Sequence, residues 1–256
     1  MANNRFMKSS NPFIGEEQFV QTAHKGASLG ITQSSDVMTL QGTVNKTLIL
    51  AAILVVSAVF SATFIPYSRG IFLVSIFGAM GVAFYTYSRP NNAHITAPIY
   101  AVLEGIAMGT ATSVFVAIAG DSGIVTNALL LTALCLVSML GAYKFGLIRA
   151  TQKFRSMIVT ATGAIMMMYL VSLGLSFFDV SIPYLHTASP LGIGISLFII
   201  GIAVLNLILD FDTIERGVQM QAPKMMEWVS SMGLLITLVW IYFEILKLLA
   251  ILSGRD

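Results

Sequence analysis

The chain has 256 residues, of which 56% are hydrophobic and only 10% charged, with a mean hydropathy of +0.84 and a formal net charge of +2. Soluble domains carry about 25% charged residues, so this chain cannot clothe a water-facing surface, and its expected solvent is lipid. Its basic residues sit in loops, so the net charge does not point to nucleic acid and no nucleic-acid partner is expected, and the single cysteine, Cys135, excludes a disulfide framework or a CxxC metal site.

The first 42 residues are polar, rich in Asn, Ser and Gln, and read as a cytoplasmic tail. No apolar h-region follows the first basic residues, so no cleavable signal peptide is expected. A short amphipathic helix lying on the membrane around "NPFIGEEQF" is the alternative. A membrane-crossing helix needs about 20 apolar residues. Seven runs meet or approach that length, at about 44–65, 71–88, 97–119, 123–143, 156–178, 190–210 and 228–252. Pro66 with Arg69-Gly70, "SRPNNAH" at 88–94, "GDSG" at 120–123, "DVSIPYLHTASP" at 179–190 and "QAPK" at 221–224 separate them. Backbone groups in lipid must be satisfied within the segment, so each run predicts a helix. The reading is an all-α integral membrane protein: a tail over 1–42 and a seven-transmembrane-helix bundle over 43–256. The second run is the shortest, and a six-span arrangement is the alternative.

The basic residues give an orientation. With the N-terminus in the cytoplasm, the inner segments hold Arg5, Lys8, Lys25, Lys46, Arg89, Lys144, Arg149, Lys153, Arg155, Arg216 and Lys224, and the outer side keeps Arg69, Lys247 and Arg255. The positive-inside rule then places the N-terminus in the cytoplasm and, with seven spans, the C-terminus outside.

Three acids lie too deep for loops. Glu104 is in the third run, Asp210 closes the sixth, and Glu244 is well inside the seventh. A carboxylate at a helix centre costs about 2.5–3.5 kcal/mol on insertion scales, and such residues mark functional sites by default. Asn206 and Asp210 are four apart and share a helix face, which Thr213 and Gly217 extend. Asp212 points elsewhere, towards Glu215 and Arg216 and the interface. Lys247 follows Glu244 by three positions and could neutralise it. The third run carries Gly105, Ala107, Gly109, Ala111 and Ser113, small residues that let helices approach closely in lipid. The "IMMMY" run at 165–169 reads as adaptable core packing. His24, His94 and His186 lie in three separate segments and make no metal site, and no GxSxG, HExxH or P-loop pattern is present, so no enzyme is expected.

"LEGIAMG" at 103–109, "SPLGIGISLFIIGIAVLNLILDFDTIERG" at 189–217, "LVWIYFEILKLL" in the last run and the entry "MTLQGTVNKT" together resemble the Bax inhibitor-1 family (the transmembrane Bax-inhibitor-motif proteins), in its bacterial YccA-like branch. The resemblance covers residues 38 to 252. It implies a bacterial inner-membrane protein whose last helix is central, and a pH-sensitive calcium leak controlled by two facing acids in the last two helices. The first acid carries over to Asp210. The position of the second falls on Trp240, so Glu244, one turn further on, and Glu104 are the alternative partners.

Two carboxylates close together in low dielectric share a proton. Protonated, they bridge helices and close a path; ionised, they repel and offer hard oxygens suited to calcium. Asp210 and Glu244 would then hold calcium transiently, as a permeant ion rather than a cofactor, and the remaining gate candidates are Glu104, Asn206 and Asp212. The alternative is a non-conducting membrane regulator whose partners are other membrane proteins, such as a quality-control protease. Proton-coupled transport of a small solute is a third reading.

Overall fold

The structure is a computed structural model that describes residues 37–65, 68–176, 178 and 189–253. Most of the polar tail, Pro66, His24, His186, Arg255 and residues 179–188 lie outside the described residues. Of the described residues 88% are helical, none forms a strand, and seven helices are long and apolar enough to cross a membrane. They are α1 (Leu40–Phe64), α2 (Arg69–Ser88), α3 (Ala93–Ala119, entered through a 3₁₀ turn at Pro90–Asn92), α4 (Gly123–Lys144), α5 (Gln152–Ser176), α6 (Pro190–Gln219) and α7 (Met226–Ser253).

Large apolar side chains point outward along these helices: Val56, Phe64, Val74 and Phe198 are all well exposed. In water such a surface would be untenable; in lipid it is the solvated one. Enclosure is concentrated in the last two helices. In the most apolar stretch of each helix, 61% of α7 residues and 50% of α6 residues are buried, against 11–33% for the other five. The last helix is thus the most enclosed.

Two sequence expectations need correction. The sixth helix does not end at Asp210 but continues to Gln219, because "FDTIERGVQ" keeps its i→i+4 bonding and meets no Gly-Pro break before the "QAP" turn. The "IMMMY" run is not core: Ile165 is buried, but Met166 and Met167 are exposed, so these methionines face lipid.

The turn after α6 shows how the chain stops a long apolar helix. Gln221 has φ +52°, the left-handed conformation that usually calls for glycine. Its N–H donates to the Val218 carbonyl (3.0 Å) and the Ala222 N–H donates to the Gly217 carbonyl (3.0 Å). That bond pair is a Schellman cap. Gly146 (φ +68°) ends α4 with the same pattern, Leu147 N–H to Ala142 and Gly146 N–H to Tyr143.

The contacts fall into two compact units. The first comprises the described residues of Met1–Ser113 with Leu209–Ile236. Within it α3 packs on α1 through Gly105 and Gly109. A Cβ on Gly109 would collide with the Ala58 carbonyl, and one on Gly105 would come within 2.5 Å of the Leu54 carbonyl. The small residues therefore set backbone-to-backbone approach. Ser61 Oγ donates to the Ile106 carbonyl across that seam (3.0 Å), and Thr86 pairs with Thr96 between α2 and α3 (2.6 Å). The second unit comprises Val114–Ile208 with the described residues of Thr237–Asp256. Here α6 meets α5 where the Asn206 amide donates to Thr162 Oγ1 (2.9 Å).

Candidate functional site: buried carboxylates

Each predicted acid occupies a distinct environment. Asp210 is 1% exposed, in a continuous helix with nine residues still to follow. Its face of α6 is polar and enclosed: Ser196, Asn206 and Thr213 recur at helical spacing with Asp210, and all four are buried. Thr213 Oγ1 donates to the Leu209 carbonyl (2.7 Å), and the Asn206 amide also donates to Ile202 (2.9 Å). Asp212 lies off this face and forms an i,i+4 ion pair with Arg216 at 2.9 Å, with side chains 14% and 28% exposed. The two aspartates, two residues apart, are thus divided by the helix period into an enclosed one and a partly exposed one.

Glu244 is buried and already has a counter-ion. Lys247 Nζ donates to Glu244 Oε2 at 2.6 Å, the Tyr169 hydroxyl donates to Glu244 Oε1, and Lys247 Nζ also donates to the Tyr169 hydroxyl at 2.9 Å. This is a closed three-membered ring of hydrogen bonds joining α5 to α7, and its Glu–Lys pair carries no net charge. Glu104 lies 11 residues after the start of α3, or about 17 Å along it at 1.5 Å per residue. Its carboxylate is hydrogen-bonded to Tyr100, one turn back. The partners thus include a lysine for Glu244, a tyrosine for Glu104 and, for Asp212 beside Asp210, an arginine. Among the described residues no group of three or more His, Cys, Asp or Glu side chains could hold a metal ion.

A further buried acid escaped the sequence reading. Glu227, in the first turn of α7, is 0% exposed. Its Oε1 accepts from the Thr39 N–H and the Thr39 hydroxyl, each at 2.9 Å, and its Oε2 receives Lys46 Nζ. Thr39 is the N-cap of α1, and its Oγ1 accepts from the Gly42 N–H (2.9 Å). In a capping box the third helical residue would be a Glu reaching back to the cap N–H. Here that position is Gly42, and Glu227 supplies the carboxylate from another helix. A Cβ on Gly42 would overlap the Glu227 carboxylate, so the glycine makes the room. Ser231 Oγ adds a bond to the Thr43 carbonyl (2.9 Å), and Met38 N–H donates to Ala222 (2.7 Å). The available signal was the spacing of Thr39, Gly42 and Lys46, a cap and a cation with no acid of their own.

Tyr169 was missed for a similar reason: at the end of a methionine run it looks like filler, yet it completes the Glu244 ring. Ser230, fully buried on α7, has a hydroxyl with no hydrogen-bond partner among the described residues. It belongs with Thr237 and Glu244 to a row spaced by seven residues along α7.

No curated protein and no solved structure matched the chain. The family model described as "Bax inhibitor 1 like" matches residues 6–254. With nearly the whole chain matched and seven membrane-crossing helices in place, the protein belongs to the Bax inhibitor-1 family.

Proposed function

We propose that the protein is a pH-sensitive cation leak, with calcium as the permeant ion and Asp210 as the acid on which the path depends. The observation that carries this reading is Asp210 itself, 1% exposed in an unbroken membrane helix, on a face that also presents Asn206 and Thr213. A protonated Asp210 can hydrogen-bond within the protein and keep its surroundings dry. An ionised one attracts water and a cation, and calcium takes six to eight oxygen ligands, most of them from carbonyls, hydroxyls and water in a site with few carboxylates. Flux should therefore rise as pH rises through the Asp210 titration. Glu244, held by Lys247 and Tyr169, then braces α7 instead of serving as the second gate acid. Glu104, hydrogen-bonded to Tyr100 within α3, is the other acid that could tune the path.

The charge asymmetry supports a cytoplasmic N-terminus, and the motifs shared with the bacterial branch support a bacterial inner membrane. The Glu244–Lys247 pair favours a second reading, a non-conducting regulator that binds other membrane proteins such as a quality-control protease. In that case the buried polar groups would serve helix packing alone.

The test is calcium flux into proteoliposomes across mildly acid to mildly alkaline pH, for the wild type and Asp210→Asn. A flux that rises with pH, and loses that dependence in Asp210→Asn, supports the leak. Absence of flux above empty liposomes from protein that is monodisperse and helical would end the leak reading and leave the regulator.

A further inference from the structure

The Glu227 cluster opens onto a cleft. The cleft has a volume of about 380 Å³ and is lined by residues of α1, of α7 and of the segments preceding them. Its polar lining includes Lys46, Lys224, Asn45 and Glu227; its apolar walls include Ile49 and Trp228.

Position and charge argue for one kind of occupant. At the start of α1 the polar Gln41, Asn45 and Lys46 alternate with the exposed Leu40 and Val44, and from Leu48 and Ile49 to Ala62 the exposed residues are all apolar. The cleft therefore straddles a membrane boundary, where headgroups meet acyl chains. Trp228 suits that level, because its amphipathic ring favours the interface. The lining carries two lysines, Lys46 and Lys224, and one glutamate, Glu227. Glu227 is 1% exposed at its side chain, and Thr39 and Lys46 occupy its oxygens, so it presents little negative charge to an entering group.

The donors are held in place. Lys46 is fixed by Glu227 on one side and by the Trp228 ring on the other, with Nζ 5.4 Å from the ring centroid, and an ammonium has three donors. Gln41 Nε2 donates to the Asn45 carbonyl oxygen (3.0 Å), which leaves the Asn45 amide group to act as a donor. The α7 N-terminus is not the source of attraction: the N–H groups of Met226, Glu227 and Trp228 already donate to Pro223, Lys224 and Met225. Binding must come from side chains.

We propose that this cleft binds the phosphate-bearing headgroup of an anionic phospholipid from the surrounding leaflet. Lys46, Lys224 and Asn45 supply the donors, and Ile49 and Trp228 flank the first part of an acyl chain. Basic pockets between membrane helices are suited to such headgroups. The bound lipid would bridge the start of α1 to the start of α7, the same two elements that Glu227 ties together.

The experiment uses the full chain carrying Trp240→Phe, which leaves Trp228 as its only tryptophan. The protein is reconstituted into phosphatidylcholine vesicles, and brominated phosphatidylglycerol or brominated phosphatidylcholine is titrated in while Trp228 quenching is read. The expected result is preferential quenching by the anionic lipid of about fivefold or more, the worth of one or more lysines near an anionic surface. Lys224→Gln, at an exposed position, should remove most of that preference without unfolding the protein. Raised salt should weaken it in the parent. Equal quenching by the two lipids would overturn the proposal, as would a preference that survives Lys224→Gln intact. Loss of the preference on adding inorganic phosphate, with potassium chloride of equal ionic strength having less effect, would instead make a free anion the ligand and overturn the lipid assignment.

Discussion

The Glu227–Lys46 pair gives the sharpest energetic prediction. Glu227→Gln keeps an oxygen that can still accept from Thr39 but removes the charge facing Lys46. Breaking a buried ion pair by removing one partner costs about 3–5 kcal/mol. Lys46 retains 15% side-chain exposure and its long stem can reach the interface, so part of that cost is relieved. Some weakening of the α1 cap adds to the remainder, because the cap as a whole is worth about 1 kcal/mol. The expected loss is about 2–3 kcal/mol for Glu227→Gln and of similar size for Lys46→Met. The double variant Glu227→Gln/Lys46→Met should be less destabilised than the sum, with a coupling energy of about 1.5 kcal/mol or more, because residues in one ion-pair network are non-additive. The assay is reversible unfolding in mixed micelles with rising dodecyl sulfate, followed by tryptophan fluorescence and helicity. A coupling energy below about 0.5 kcal/mol, the scale of an exposed pair, would refute the view that Glu227 clamps α1 to α7.

The Tyr169–Glu244–Lys247 ring should show the same asymmetry deeper in the helices. Glu244→Gln or Lys247→Met alone is expected to cost about 3 kcal/mol, and the two together about 1 kcal/mol, since replacing both ions removes the stranded charge; the same micelle titration measures it. Asp212→Asn is expected to cost no more than about 0.5 kcal/mol, because its i,i+4 pair with Arg216 is partly exposed. An Asp212→Asn loss as large as that of Glu227→Gln would break the contrast. Gly109→Val should destabilise by about 2 kcal/mol or more, since its Cβ meets the Ala58 backbone, which cannot swing aside as a side chain can; Gly81→Val, where a Cβ would meet nothing within 4 Å, is the matched control.

Composition was enough to read seven helices, because in lipid a run of about 20 apolar residues has almost no structural alternative to a helix. Helix ends were harder. Asp210 looked like a terminus because hydropathy falls there, but hydropathy reports the solvent outside a helix, and Asp210 is enclosed by protein. Of the deep acids, Lys247 was legible as the partner of Glu244 because i,i+3 spacing is local. Tyr169 was not, since it lies 75 residues away from Glu244. Glu227 shows the limit most clearly. Next to a Pro-containing turn it reads as an ordinary interfacial charge, and its partners Thr39 and Lys46 are more than 180 residues away. Only the gap left by Gly42 in a would-be capping box hinted that a carboxylate must come from elsewhere.

The separate environments of these acids bear on how a gate could work in this chain. Two facing carboxylates would make a symmetric switch, with one shared proton deciding between bridge and repulsion. Here the acid of α7 is already closed in a ring with a lysine and a tyrosine, so its charge is answered whether or not a cation is near. An answered charge cannot serve as a sensor without first losing its partner, and that loss is the costly step estimated above. Asp210 sits within the helix beside short polar side chains: Thr213 bonds to Leu209 in the same helix, and Asn206 bonds both to Ile202 and across to Thr162 on α5. The proposed pH response therefore rests on one acid. It should follow a single titration and survive Glu244→Gln/Lys247→Met, whereas a response lost in that double variant, with Asp210 intact, would restore the paired gate.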